Sequence, residues 1–283
     1  MEFISDSFFD SIRLIPFLFV TYLAMEFLEH HAGDKGARAI HKAGPVGPVI
    51  GSLLGILPQC GFSAAASSLY AGRVIGIGTL TAVFFSTSDE MLPIFISSAV
   101  PVHTIYRVLA AKLLIGIISG YAAAFIYHIL YHSHEKEPDI HTVCNEEHCG
   151  CSTGIVRPAL MHTVKIAVYI FIITLILNGI IDTIGSDRIQ EFFTDTPALL
   201  KLMTALIGLI PNCASSVVIT KMYLDGILSS GALISGLLVN AGVGLLILLR
   251  LNRRPKENAF IIIMLYLMSV FWGIIIDALN IIF

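Results

Sequence analysis

The sequence contains few charged residues. Asp, Glu, Lys and Arg make up 13% of its 283 residues, about half of the roughly 25% that is usual for soluble domains. The formal net charge is -3, so there is no basic excess to bind phosphate backbones. These shortages exclude a soluble globular enzyme, a disordered chain and a nucleic-acid binder.

Apolar residues take the place of the missing charges. Hydrophobic residues account for 56% of the chain, and the mean hydropathy is +0.84. A membrane-spanning helix needs about 20 apolar residues, so the chain has room for several. The N-terminus carries Glu2, Asp6 and Asp10 and has no basic region, so we expect a retained first helix at 12–28 and not a cleaved signal. The sequence therefore predicts an all-α polytopic membrane protein.

An internal repeat appears when the sequence is shifted by 153 residues. Pro58 and Cys60 then fall on Pro211 and Cys213 without a gap, and the shift also pairs further residues: Gly55, Ser63, Tyr70, Gly78, Leu80 and Leu92 with Gly208, Ser216, Tyr223, Gly231, Leu233 and Leu245. This pattern predicts two membrane repeats of about five segments each, at 1–131 and 158–283, joined by a polar linker at 132–157. Secondary transporters built from such repeats bind their substrate at the repeat interface.

The basic residues indicate how the repeats are oriented. The loop at 33–42 contains three basic residues, whereas its repeat partner at 186–195 is mainly acidic; the loop at 250–256 contains four, whereas its partner near 97–103 contains no Lys or Arg. Cytoplasmic loops carry the excess of Lys and Arg. We therefore predict inverted repeats, both termini outside and a cytoplasmic linker. The sequence is consistent with re-entrant hairpins and with five full spans in each repeat.

The two proline motifs provide the first candidate site. Pro58 and Pro211 break helices, and non-helical backbone is tolerated in a membrane only where it is buried in protein or lines a cavity. Helix ends at such breaks offer dipoles and carbonyl groups to an ion. The candidate ligands beside the breaks are Gln59, Cys60, Ser63, Asn212, Cys213 and Ser216. The alternative is that the cysteines only pack and the polar groups only satisfy the freed backbone.

The second candidate site is the segment Thr87, Ser88, Asp89 and Glu90. Adjacent carboxylates at membrane depth are costly and usually functional, and hard cations prefer carboxylate and carbonyl oxygens. We therefore predict that this segment binds the transported cation or carries a proton. The alternative is a surface loop between two separate spans. We expect Arg107, Lys112 and Lys165 to snorkel or to act as counter-ions.

Two further groups of residues have the chemistry of metal ligands. Glu26, Glu29 and His30 share one face of the first helix and form either a site where cations enter or an ordinary solvated helix end. The linker is rich in His and Cys, a composition typical of metal binding, although its spacing matches no standard zinc site. The alternative is a disordered linker. Its candidate ligands are His132, His134, His141, Cys144, His148, Cys149 and Cys151.

These motifs resemble a known family. The segments Gly55–Ala66, Leu69–Arg73, Gly78–Leu80, Thr87–Pro93 and Ile210–Ala214 are similar to the bacterial ten-span heavy-metal exporters, whose members are labelled manganese transporter or arsenic efflux protein. The resemblance covers nearly the whole chain outside the linker. It implies a cytoplasmic-membrane exporter with ten transmembrane segments, and it assigns function to the matched positions 58–63, 87–90 and 211–213.

The leading functional hypothesis is a secondary transporter that exports a divalent metal cation, with manganese favoured and a proton exchanging on Asp89 or Glu90. The alternatives are efflux of a thiophilic species such as trivalent arsenic through Cys60 and Cys213, because soft ions select thiolates, and a passive ion channel. The sequence has no Walker A loop and no protease motif, so we expect no enzyme. We expect no required cofactor; the transported metal ion is the cargo, and the linker is a candidate site for a transition metal. The expected partners are the metal ion and the lipid bilayer, and we expect no nucleic acid. Whether a second copy of the chain binds stays open.

Overall fold

A computed structural model describes residues 15–16, 18–20, 22–23, 44–57, 60–88, 91–130, 156–184 and 200–283. Every regular element in these ranges is helical. A 3₁₀ turn at Gly44–Val46 precedes the first numbered helix. The helices are α1 (Gly47–Gly55), α2 (Cys60–Ala71), α3 (Ile77–Ser86), α4 (Met91–Ser97), α5 (Val102–Leu130), α6 (Val156–Ile184), α7 (Leu200–Gly208), α8 (Cys213–Leu224), α9 (Ser230–Val239), α10 (Val243–Leu251) and α11 (Pro255–Ala278).

Local residue chemistry explains several helix starts. Proline occupies one of the first two positions of α1 and of α11. A backbone N–H at these positions would have no intrahelical acceptor, so the N–H that proline lacks is not missed. The Ser229 side chain accepts a hydrogen bond from the Ala232 amide at 3.2 Å and caps α9. Such caps satisfy amide groups that would otherwise lack a partner in an apolar surrounding.

The helix pattern of the first half recurs in the second half. The bounds of α1, α2 and α3 coincide with those of α7, α8 and α9 after the shift of 153 residues. The packing recurs as well. A Cβ placed on Gly78 would lie 2.6 Å from the Gly120 carbonyl oxygen, and one placed on Gly231 would lie 2.2 Å from that of Gly273. The same pair of small residues therefore brings α3 against α5 and α9 against α11. The inverted relation of the two halves and the boundaries at 131 and 158 stay predictions.

Helices of each half pack directly on helices of the other half. Helix α2 of the first half packs on α10 of the second half, and α8 packs on α4. Ser67 Oγ donates a hydrogen bond to the Gly244 carbonyl at 2.7 Å. Helix α6 also packs on α10, where Ile166 and Ile170 join a core cluster with Val243 and Ile247. Buried residues of both halves therefore belong to one continuous core, which lies within each half and across their contact.

Within the described residues, three helical segments are long and apolar enough to cross a membrane: 102–130, 230–251 and 255–278. The first and third expose large apolar side chains, including Leu114, Phe125, Leu267 and Phe271. By contrast, 94% of the most apolar window of 230–251, which combines α9 and α10, is buried. This arrangement places a broken helix in the protein interior and apolar surfaces outside, as expected for an all-α polytopic membrane protein.

Candidate functional site

The segment that follows α3 is a buried helix end. Thr87 is 2% exposed and Ser88 is 1% exposed, which does not fit a surface loop at these two positions. Thr87 Oγ1 donates to the Val83 carbonyl at 2.7 Å, and Ser88 Oγ donates to the Ser86 carbonyl at 3.2 Å. Each hydroxyl has only one proton to donate, so its oxygen lone pairs stay available to accept a ligand. Asp89 and Glu90 lie outside the described residues, and their ion-binding role stays a prediction.

The second half contains the matching break after α9. Asn240 is buried, and its Oδ1 accepts a hydrogen bond from the Gly242 amide at 3.0 Å. Gly242 has a φ of 52° and a ψ of -138°, a backbone conformation that requires glycine. The shift of 153 residues places Thr87 on Asn240. Both halves therefore end their central helix at the same register, and Thr87, Ser88 and Asn240 are buried at these ends.

Lys112 on α5 connects the ends of these two helices. Its side chain is fully buried, and its ammonium donates to the Thr87 carbonyl and, at 3.3 Å, to the Leu237 carbonyl. The last carbonyls of a helix have no intrahelical partner and carry the negative end of the helix dipole. The prediction that Lys112 snorkels is therefore wrong, because the carbonyl groups hold its ammonium inside the protein. The counter-ion role stays a prediction.

The Pro-x-Cys break of the second half begins α8. Asn212 is 1% exposed, and its side chain accepts from the Ala214 amide at 3.5 Å. Ser216 Oγ donates to the Cys213 carbonyl at 2.8 Å, and Cys213 is buried. The alternative that these polar groups only satisfy the freed backbone is supported in part, because the Asn212 and Ser216 side chains do bond backbone groups at the start of α8. Their candidate role as ion ligands stays a prediction.

The first-half break at Pro58 and Gln59 lies outside the described residues, as does the side chain of Cys60, which begins α2. Ser63, one turn further along, is fully buried. A Cβ added to Gly244 would lie 2.8 Å from the Ser63 backbone and side chain. The fold therefore places a candidate residue of the first half directly against the helix that follows the second-half break.

A polar cluster that sequence reasoning missed joins the halves at one end of α2 and α11. Arg73 donates to both carboxylate oxygens of Glu257, at 2.5 and 2.9 Å, and to Asn252 Oδ1 at 3.3 Å. The Tyr70 hydroxyl also donates to Glu257, and Asn258 bonds Asn252. Tyr70 and Arg73 lie more than 170 positions from Asn252 and Glu257 in the chain, so no local spacing could have revealed the cluster.

The sequence predicts metal ligands at the first helix and on the linker. Glu26, Glu29, His30 and the seven linker residues lie outside the described residues. Within the ranges that the structure does describe, no group of three or more His, Cys, Asp or Glu residues could hold a metal ion. The oxygen atoms described at the breaks belong to hydroxyl, carboxamide and carbonyl groups, which are hard ligands.

Buried helix breaks at matching positions of two repeats, inside an apolar helical bundle, are typical of membrane transporters. The sequence comparison agrees with this class. The chain belongs to the family described as "Putative, 10TM heavy-metal exporter", whose sequence model matches residues 1–138 and 122–268. This match confirms the family resemblance that the motifs indicated. No curated protein matches the chain, and no solved structure matches it.

Proposed function

We propose that this protein is a secondary active transporter that exports a divalent metal cation, with manganese favoured, in exchange for protons. The observation that carries this proposal is the buried ammonium of Lys112 at the ends of α3 and α9. Positive charge in a protein interior is costly unless its surroundings compensate it. Carbonyl groups of both halves stabilise positive charge at this point, and the same oxygen atoms would stabilise a transported cation when the ammonium moves away, which supports a cation as cargo.

The residues around the breaks have suitable chemistry for such a cation. The hydroxyl oxygens of Thr87, Ser88 and Ser216 can still accept, because their protons point at backbone carbonyls. Asp89 and Glu90 follow directly in the sequence and would supply the carboxylates that Mn²⁺ prefers. Rocking of one half against the other would open the breaks to each side in turn, and a proton on Asp89 or Glu90 would exchange for the ion.

The membrane arrangement forms part of the proposal. The protein would lie in the cytoplasmic membrane with both termini outside. The His- and Cys-rich linker would then face the cytoplasm and collect the metal before export. Because the ion would cross at the contact between the halves of one chain, a single copy would be sufficient, and a homo-oligomer is not required.

Replacing Asp89 with asparagine tests this proposal. The change removes the charge and keeps the shape, so we expect metal efflux to be abolished while the protein is still made. The measurement is the manganese content and manganese tolerance of cells that express each variant, with protein abundance checked in the membrane fraction. The control is Asp225→Asn, since Asp225 is exposed at the end of α8. Wild-type tolerance in the Asp89→Asn cells would contradict the proposal.

A second candidate function is efflux of a thiophilic metalloid, which the buried sulfur of Cys213 favours because soft species bind thiolates. The double variant Cys60→Ser, Cys213→Ser separates the two candidates. Loss of arsenic resistance with this variant would support metalloid efflux, whereas unchanged manganese export would support the divalent cation. Elemental analysis of cells grown on a panel of metals identifies the cargo, and flux that follows the ion gradient without proton exchange would indicate a channel.

A further inference from the structure

The position of Lys112 is specific in the fold. Its carbonyl partner Thr87 ends α3 in the first half, and its other partner, Leu237, lies in the last turn of α9 in the second half. The helix α3 ends just before Thr87, and α9 ends shortly after Leu237. A single ammonium on α5 therefore reaches both interrupted helices, which makes Lys112 a link between the parts of the protein that must move relative to each other during transport.

The groups that hold this ammonium would also hold a metal cation. Backbone carbonyl oxygens are ligands of hard divalent cations, and those in the last turn of a helix are free of intrahelical partners. An ammonium and a metal ion would therefore compete for the same oxygen atoms. Their charges would also repel each other strongly, since a buried pair is screened far less than one in water.

We propose that Lys112 is a tethered cation, which occupies the carbonyl oxygens of the ion pathway when no metal is bound and is displaced by the transported ion. This inference rests on the proposed cation transport and adds a specificity-determining residue to it. In the absence of cargo the ammonium holds the ends of α3 and α9 together. Once the halves move, its return to the carbonyls expels the bound ion.

The proposal predicts that a neutral side chain at position 112 raises the affinity for Mn²⁺ and slows its turnover. Without the ammonium, the carbonyl oxygens are free and the repulsion is gone, so Mn²⁺ should bind at least about tenfold more tightly. Release should slow, because no internal cation competes for the oxygens. A neutral side chain at position 112 should therefore lower both the KM and the kcat for Mn²⁺ transport. If Lys112 only braced the helices, its replacement would weaken Mn²⁺ binding or lower the amount of folded protein.

The experiment compares purified variants by Mn²⁺ binding in detergent and by Mn²⁺ flux in proteoliposomes. Lys112→Met removes the charge and the donors, whereas Lys112→Gln removes the charge and keeps an N–H donor for the carbonyls. Lys112→Arg keeps the charge. The matched control is Lys221→Met, because Lys221 is exposed on α8.

We expect tighter binding and slower turnover in both neutral variants, and wild-type binding and turnover in Lys221→Met. Lys112→Arg, which keeps the charge, should not bind Mn²⁺ more tightly than the wild type. If Lys112→Met does not fold, Lys112→Gln decides the question. Wild-type or weaker Mn²⁺ binding in a folded neutral variant would overturn the tethered-cation proposal while leaving cation transport intact. A folded wild-type protein that binds and transports no divalent cation would overturn the proposed function itself, and this inference with it.

Discussion

Replacement of Glu257 by alanine is expected to lower the free energy of unfolding by about 3 kcal/mol, as is usual when one partner of a buried ion pair is removed. Glu257 is 4% exposed and accepts hydrogen bonds from Arg73 and Tyr70. The variant leaves a half-buried guanidinium and a buried hydroxyl without their acceptor. Thermal denaturation of the purified protein in detergent measures the loss.

A double-mutant cycle attributes this loss to the cluster. Arg73→Ala alone should also destabilise the protein, because the Glu257 carboxylate then stays buried without its cation. The double variant Arg73→Ala, Glu257→Ala should cost clearly less than the sum of the single variants. Asp225→Ala, at an exposed position, serves as the control. Additive effects, or a loss in the control as large as that in Glu257→Ala, would contradict a coupled cluster.

Replacement of Gly244 by alanine is expected to cost about 3 kcal/mol, at the upper end of the usual range for overpacking a dense interior. The added Cβ would lie 2.8 Å from the carbonyl carbon, the Cβ and the oxygen of Ser63, and backbone atoms cannot turn away as a flexible side chain can. The helices α2 and α10 must then separate, which also weakens the Ser67 hydrogen bond to the Gly244 carbonyl. Thermal stability and membrane abundance report this effect.

The matched control for this substitution is Gly44→Ala. Gly44 is exposed, and a Cβ at that position would meet no atom within 4 Å. Its stability should stay within about 0.5 kcal/mol of that of the wild type, as for most surface substitutions. Equal stability of the Gly244→Ala and Gly44→Ala variants would show that α2 and α10 are not in close contact. Loss of transport in Gly244→Ala is expected as well, since Ser63 lies at this contact.

Part of the candidate site was accessible to sequence reasoning because breaks in apolar helices leave a local signal. Pro211 marked the start of α8, and the run from Thr87 to Glu90 marked a helix end that the structure places in the interior at Thr87 and Ser88. The environment of Lys112 had no such signal. The sequence around a lysine in an apolar segment does not distinguish an ammonium that reaches the membrane surface from one that binds buried carbonyl groups.

The sequence by itself determined that this is a membrane protein, because hydropathy follows from composition alone. It also indicated that the halves repeat, because paired prolines, glycines and a tyrosine share one register. The helix bounds of the structure recur at the same shift. Only the tertiary structure decided that Ser63 lies against Gly244, that Arg73 pairs with Glu257 and that Lys112 joins Thr87 to Leu237. Each of these contacts joins residues distant in the chain, and such contacts depend on how whole helices pack, which no local pattern specifies.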